Sequence, residues 1–230
     1  DRVGLETLLH FPTRGRNILR IQGDLLAAHA LNVRNIFAVM GDPTTIGDYP
    51  DALNDYDVVP TGLITLLKQK FNQGIDQGGE PLAQSTNFVV GCAVNLTPDD
   101  PDREMKILQR KIESGADFAL TQPVYDVSRA RDFIARYESG YGSWTLPIIA
   151  GVLPLYSGRH AEFLHNEVPG IEISADLQSR MYRASDQAPQ EGVKIALEII
   201  EEFCQFVQGI YLIPAFGRYD LVAEIIEQVS

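Results

Sequence analysis

Short apolar runs alternate along the chain with longer amphipathic stretches. Most of the apolar runs lack a strict alternation of polar and apolar positions, which is typical of strands that are buried on both faces. We predict seven strands, at 6–12, 35–40, 87–94, 118–121, 147–153, 170–174 and 209–213. The repeated order of strand, polar turn and helix implies a parallel sheet with right-handed crossovers.

Three of the amphipathic stretches, 17–31, 102–114 and 191–207, predict helices. In the first two, the apolar residues recur at helical spacing and therefore share one face. These residues are Ile18, Ile21, Leu25 and Ala28 in the first stretch, and Met105, Leu108 and Ile112 in the second. The third stretch stops before Gly209, a residue type that commonly ends helices.

Two architectures fit this alternation, a doubly wound open sheet and a closed barrel. An open sheet that binds a dinucleotide is expected to carry the motif GxGxxG after its first strand, and the sequence has none. A TIM-type (β/α)₈ barrel needs eight units, whereas seven are counted. We therefore expect an α/β protein of the barrel type that lacks the first βα unit. Residues 1–230 would form a single barrel domain, incomplete at its N-terminus.

Composition narrows the class of protein further. A chain of 230 residues, 45% of them hydrophobic, can bury one substantial core. The formal net charge of −12 disfavours binding to nucleic acid or anionic lipid. No stretch reaches the ~18 apolar residues of a membrane span, and no signal peptide is visible. We expect a cytoplasmic protein in which Cys92 and Cys204 are buried, reduced thiols, with a structural pair as the alternative.

Polar residues at the ends of the predicted strands are the candidates for chemistry, because a barrel builds its active site where strands end and helices begin. They are Thr13, Arg14, Arg16, Asp42, Asn95, Gln122, Tyr125, Asp126, Arg159 and Arg218. All five lysines fall in helical stretches, which argues against Schiff-base chemistry on a strand. Of the four histidines only His10 lies on a strand, which argues against a metal site. The remaining groups suit a site that orients a bound cofactor.

Four motifs carry a resemblance to a known family. They are Gly41-Asp42-Pro43, Ser114-Gly115-Ala116-Asp117 leading into Leu120-Thr121-Gln122-Pro123-Val124-Tyr125-Asp126, Gly151-Val152-Leu153-Pro154, and Gly209-Ile210-Tyr211 followed by Arg218. In this order, from about Gly4 to the C-terminus, the chain resembles the methylenetetrahydrofolate reductase family. Segments 10–17 and 165–170 are similar to the form fused behind a homocysteine methyltransferase domain. That similarity implies a larger, bifunctional parent.

The resemblance implies a (β/α)₈ barrel that holds FAD across the carboxyl ends of its strands. NADH or NADPH would pass a hydride to the flavin. The folate substrate, 5,10-methylenetetrahydrofolate, would then bind in the same place and be reduced to 5-methyltetrahydrofolate. This is an oxidoreductase reaction of one-carbon metabolism and methionine biosynthesis, and we expect the enzyme to be a homo-oligomer. A non-catalytic folate- or flavin-binding module with a regulatory role stays an alternative.

Two residues are carried over as catalytic and substrate-binding. Asp42 matches an aspartate near the flavin and the pterin, where a carboxylate can stabilise the cationic iminium formed when the folate ring opens. The alternative is a turn or helix-capping aspartate. Gln122 matches a glutamine that hydrogen-bonds folate and nicotinamide in turn, since an amide offers both a donor and an acceptor. The alternative is a polar residue that faces solvent.

Further positions are carried over for cofactor and substrate binding. Arg110 and Lys111 match positions that approach the FAD phosphates, although cations at a helix C-terminus are nearly as good an explanation. At Ala116 a larger side chain would loosen FAD by crowding. Arg218 matches an arginine that contacts folate, with a solvated arginine at a helix start as the alternative. The positions that match the flavin lining are Thr13, Gly41, Asp42 and Val94.

The sequence also departs from the family pattern. Pro12 stands where a threonine that helps to place the nicotinamide is common. Met40 replaces a polar FAD-contacting residue, and Val94 replaces an aromatic one. The general acid of the family is a glutamate on the first strand, whereas Glu6 begins the second strand of the pattern. We therefore expect the acid to be missing from this chain.

Overall fold

The structure is a computed structural model that describes residues 4–229. Its strands are β1 (Leu8–Pro12), β2 (Asn35–Val39), β3 (Val89–Val94), β4 (Phe118–Pro123), β5 (Ile148–Val152) and β6 (Gly209–Leu212). They form one sheet in the order β1-β2-β3-β4-β5-β6. Six of the seven predicted strands are confirmed within a few residues, and the α/β class is confirmed with them.

Helices follow the strands as the alternation predicts. The α-helices of the described residues are α1 (Ile18–Ala30), α2 (Pro60–Thr65), α3 (Pro101–Glu113), α4 (Val127–Tyr141), α5 (Gly158–Glu167), α6 (Ala175–Ala184), α7 (Ala188–Phe203) and α8 (Tyr219–Val229). A π-helical segment, Leu66–Lys70, continues from α2. The Asn17 side chain caps α1 by accepting from the Arg20 backbone N–H, so this helix starts where the sequence places it.

Tertiary contacts divide the chain into two compact units, which are described separately below. The first unit is Asp1–Ala93 with Lys106–Ala119, and the second is Val94–Met105 with Leu120–Ser230. The prediction of a single domain over 1–230 stays a prediction.

In the first unit, β1, β2 and β3 pair in parallel, with His10 opposite Phe37 and Phe37 opposite Gly91. An ion pair joins segments of this unit near the amino-terminal ends of the strands. The Lys68 ammonium, on the π-helical segment, lies 2.8 Å from each carboxylate oxygen of Asp117. Asp117 also accepts the Val90 backbone N–H at 2.7 Å. One carboxylate thus fixes a helix and the start of a strand together.

In the second unit, β5 and β6 pair in parallel, and three helices begin at side-chain caps. Asp126, Ser157 and Ser174 each accept a backbone N–H from the first turn of α4, α5 and α6, respectively. Helix α7 packs closely against the segment after β5. A Cβ atom on Gly192 would overlap the Leu155 carbonyl oxygen and lie 2.6 Å from its carbonyl carbon, so this packing requires glycine.

The strand predicted at 170–174 is wrong. Ile171 and Ile173 are buried and alternate with exposed neighbours, and this pattern is also that of a half-buried strand. The backbone bonds of this segment are not those of a strand, because the Ile171 N–H donates to Val168 and the Ile173 N–H donates to the His165 ring. Against the eight strands of a closed barrel, the described sheet therefore lacks two rather than one.

Two smaller expectations also need correction. Helix α7 ends at Phe203, four residues before the predicted end. Cys204 is consequently exposed at the end of this helix, whereas Cys92 is buried in β3 as expected. The two thiols are not joined in a disulfide. Within residues 4–229, no helix combines the length and apolarity needed to cross a bilayer.

Candidate functional site

The carboxyl ends of β1 and β2 are held together in the first unit. The Thr13 side chain is fully buried, and its hydroxyl donates to the Met40 sulfur at 3.4 Å. The Arg14 backbone N–H donates to the Met40 carbonyl at 2.9 Å. Met40, which departs from the family pattern, is therefore paired with a residue predicted to line the flavin.

Gly41 follows this pair in a left-handed conformation, with φ of +82°. A Cβ atom here would lie 3.0 Å from Pro12 Cβ and 3.6 Å from Arg14 Cβ. Both the backbone conformation and the close approach of Pro12 therefore favour glycine. The turn carries the chain to Asp42 directly after β2.

Asp42 is exposed. The short 3₁₀ helix that follows, Thr44–Ile46, has Pro43 at its N-cap position and no side-chain cap. The helix-capping interpretation of Asp42 is therefore not supported. Within the described residues the carboxylate has no hydrogen-bonded partner, so it is available to a ligand.

The loop after Asp42 is tied to the end of β1 by residues that the sequence did not single out for this role. The Arg14 guanidinium donates to the Gly41 carbonyl at 3.0 Å and to the Asn54 side-chain oxygen at 3.0 Å. The same Asn54 oxygen accepts the Thr44 backbone N–H at 3.2 Å. Arg14 also lies over the Tyr56 ring, 5.7 Å from its centroid. No local sequence pattern marks Asn54, since the contact joins residues 40 positions apart.

Lys111 and Ala116 lie together at the end of α3, also in the first unit. Lys111 is only 8% exposed, and its ammonium donates to the Ala93 carbonyl at 2.6 Å. The Ala116 backbone N–H donates to the Lys111 carbonyl at 3.1 Å. Arg110 lies on the exposed side of the helix. The two neighbouring cations, to which the sequence analysis gave the same role, therefore differ in burial: Lys111 is buried and Arg110 is exposed.

In the second unit, Gln122 is exposed near the end of β4, whereas Val94 is buried at the end of β3. An exposed amide is accessible to a ligand. The buried Val94 side chain belongs to the packed interior, so a flavin-lining role for it stays a prediction.

Arg218 is held at the start of α8 rather than solvated freely. Its guanidinium forms three hydrogen bonds with the Asp220 carboxylate, at 3.0, 3.3 and 2.7 Å. These bonds are the main cause that raises the pKa of Arg218. The guanidinium also lies 5.9 Å from the centre of the Tyr156 ring.

An aromatic cluster next to Arg218 was missed by the sequence analysis. The rings of Tyr156 and His160 are stacked with centroids 4.1 Å apart, and Phe216 contacts both edge-on. His160 is 3% exposed, and neither ring nitrogen has a hydrogen-bond partner among the residues that the structure describes. Burial lowers its pKa from 6.5 to about 4. The available signal was the spacing of Tyr156 and His160, four positions apart across the start of the helix after β5.

The part of the chain that the structure describes shows no cluster of metal ligands. Residues 4–229 contain no group of three or more His, Cys, Asp or Glu side chains placed to hold a metal ion.

A parallel sheet flanked by helices, with polar groups at the strand ends, defines an α/β protein of the TIM-barrel type that lacks units. A solved structure supports this class: a protein from Clostridium thermocellum, described as binding two copies of 5-methyl-5,6,7,8-tetrahydrofolic acid, matches with a TM-score of 0.56. The match covers 99% of this chain and 74% of that protein at 14% identity, so it shows the fold alone.

The family follows from sequence comparison. The family model for methylenetetrahydrofolate reductase matches residues 1–230, and the chain belongs to this family. Methylenetetrahydrofolate reductase 2 of Saccharomyces cerevisiae is 27% identical over 205 residues, which are 88% of this chain and 32% of the relative. Methylenetetrahydrofolate reductase (NADH) 1 of Arabidopsis thaliana is 24% identical over 86% of this chain and 33% of the relative. The chain thus spans about a third of the length of these relatives.

Proposed function

We propose that this chain is part of a flavin-dependent methylenetetrahydrofolate reductase that uses NADH or NADPH to convert 5,10-methylenetetrahydrofolate to 5-methyltetrahydrofolate. The observation that carries the proposal is Asp42, an exposed carboxylate after β2 that has no hydrogen-bonded partner within residues 4–229, in a chain matched along its whole length by this family. The reaction belongs to one-carbon metabolism and methionine biosynthesis.

The residues of the first unit fit FAD. An ammonium group has three donors, and Lys111 uses one of them on the Ala93 carbonyl, so further donors remain for a phosphate oxygen. Arg110 can add a second, exposed cation. Gly41, with its positive φ, lets the chain turn from β2 to Asp42 in close contact with Pro12. When bound, FAD supplies the hydride transfer.

The remaining roles fall to side chains of the chain itself. Asp42 would stabilise positive charge on the folate through its carboxylate. The Gln122 amide would orient folate and nicotinamide in turn, because it can donate and accept. Arg218, already fixed by Asp220, would contact the folate with little further loss of side-chain freedom.

A substitution tests the proposal. The full-length protein should purify with bound FAD, lose flavin colour when NADH or NADPH is added without oxygen, and regain it with methylenetetrahydrofolate. Asp42→Asn should keep the flavin and its reduction but slow folate reduction at least about 10²-fold, the range for loss of one charge-stabilising group. Asp48→Asn, an exposed carboxylate in the same loop, is the matched control. A protein that never takes up FAD would refute the proposal.

A non-catalytic folate- or flavin-binding module with a regulatory role is the alternative. Binding of FAD or folate without turnover in the full-length protein would support the module. We further propose that the protein is a cytoplasmic homo-oligomer with a single reductase domain, fused to a homocysteine methyltransferase domain.

A further inference from the structure

Gly151 and Tyr211 face each other on neighbouring strands of the second unit, β5 and β6. A Cβ atom on Gly151 would lie 2.7 Å from the Tyr211 hydroxyl oxygen and 2.8 Å from Cζ. Because glycine has no side chain, the tyrosine ring can lie across β5 instead of standing away from the sheet. The phenol therefore passes over one strand and reaches the next.

On the far side of β5, the phenol meets the peptide group that precedes Gln122. The Tyr211 hydroxyl donates to the Thr121 carbonyl at 2.6 Å. Thr121 is fixed from a second direction, because its hydroxyl accepts the Gly151 backbone N–H at 2.8 Å. The same hydroxyl donates to the Gln122 carbonyl at 2.6 Å. Together, these three hydrogen bonds fix the backbone carbonyl groups that precede and follow the Gln122 Cα atom.

We infer that Tyr211 is a positioning residue. By hydrogen-bonding the Thr121 carbonyl across Gly151, it sets the direction in which the Gln122 side-chain amide points. This inference rests on the proposed function, in which Gln122 binds folate. Burial raises the pKa of Tyr211, so the phenol keeps its proton, and hence its donor role, at neutral pH. Tyr211→Phe removes one oxygen atom, leaves the ring over Gly151, and deprives the Thr121 carbonyl of its partner.

A double-mutant cycle on the full-length, flavin-loaded protein tests the inference, with the dissociation constant of 5-methyltetrahydrofolate as the readout. We expect Tyr211→Phe to weaken binding roughly fivefold, as for the loss of one hydrogen bond, with FAD content retained. Gln122→Ala should weaken binding as well. In the Gln122→Ala background, Tyr211→Phe should have no further effect, because the amide that it orients is absent.

Tyr182→Phe is the matched control. Its hydroxyl also donates to an acceptor within the second unit, the Glu162 carboxylate on α5. It forms no part of the bridge to Thr121, so its removal should leave folate affinity unchanged. If Tyr211→Phe does not fold, Thr121→Val removes the other hydroxyl of the bridge at similar volume.

The outcomes separate the inference from the proposed function. Equal weakening by Tyr211→Phe with and without Gln122, or no weakening at all, overturns the positioning role alone. A wild-type protein that does not bind 5-methyltetrahydrofolate, or a Gln122→Ala variant that binds it as well as wild type does, overturns the proposed role of Gln122 and the inference with it.

Discussion

At the scale of single residues, the burial of His160 makes the stability of the fold depend on pH. Its ring is buried among aromatic groups, and within the described part of the chain both nitrogens lack hydrogen-bond partners. A charged imidazole is therefore disfavoured in the folded state, and the pKa falls from 6.5 to about 4. Between these two pH values the unfolded chain binds a proton that the folded chain does not. As far as His160 is concerned, the free energy of unfolding is therefore highest above pH 6.5, and it decreases progressively as the pH falls toward 4.

We predict that His160→Phe reduces the pH dependence of stability. The substitution keeps an aromatic ring against Tyr156 but removes the titrating group. The free energy of unfolding, measured with urea at pH 7 and pH 5, should change by about 2 kcal/mol less in the variant than in the wild type. Phe163→Leu, which alters an exposed, non-titrating ring on the same helix, should keep the wild-type difference. An unchanged pH dependence in His160→Phe would contradict the assignment.

Some features of the candidate site could be predicted from single residues in the sequence, and others could not. The position of Asp42 at a strand end was predictable, since it follows an apolar run and a glycine. Whether its carboxylate caps a helix was not, because that depends on the start of a three-residue helix at Thr44. The partners of Lys111 and Arg218 were also beyond prediction. Lys111 pairs with a carbonyl 18 positions earlier, and no spacing rule connects the two.

At the scale of elements, the contact of α7 with the segment after β5 depends on one glycine. We predict that Gly192→Ala destabilises the second unit by at least about 3 kcal/mol, because the new Cβ atom meets backbone atoms of Leu155 that cannot rotate away. Gly23→Ala in α1 is the matched control. Nothing lies within 4 Å of a Cβ atom there, so it should stabilise by about 0.5–1 kcal/mol. Urea unfolding of both variants measures the difference, and equal stabilities would refute the packing argument.

Elements with strong periodicity were predictable, and those fixed by distant partners were not. The strands of the sheet and the start of α1 follow from apolar runs and from Asn17. Segment 170–174 failed because the alternation of Ile171 and Ile173 reports burial alone. Its backbone is bonded to the His165 ring, and that contact depends on how helix α5 ends.

At the scale of the whole molecule, the proposed function requires an acidic protein to bind an anionic cofactor. The formal net charge is −12, and FAD carries a diphosphate, so long-range repulsion opposes binding. To attract the FAD diphosphate against this repulsion, the cations of α3 must lie close to it, at a distance over which salt screens the interaction little. Lys111 satisfies this requirement, because its charge is held in a buried position.

We predict that Lys111→Met lowers the stabilisation that FAD gives to the full-length protein. A ligand at 100 times its dissociation constant stabilises the folded state by about 2.7 kcal/mol. A tenfold weaker affinity should remove about half of that gain, as read from thermal unfolding at fixed FAD concentration. Lys106→Met, on the exposed side of the same helix, should keep the full gain. If Lys111→Met lowers stability equally with and without FAD, Lys111 serves the fold alone.

The different exposure of the two thiols has a practical use. A maleimide dye should couple selectively to Cys204 at the end of α7, since Cys92 is enclosed in β3. The chain contains a single tryptophan, Trp144, and it belongs to the same compact unit as Cys204. The natural sequence thus provides one fluorescence donor and one labelling position, and energy transfer between them can follow the unfolding of this unit without any engineered change.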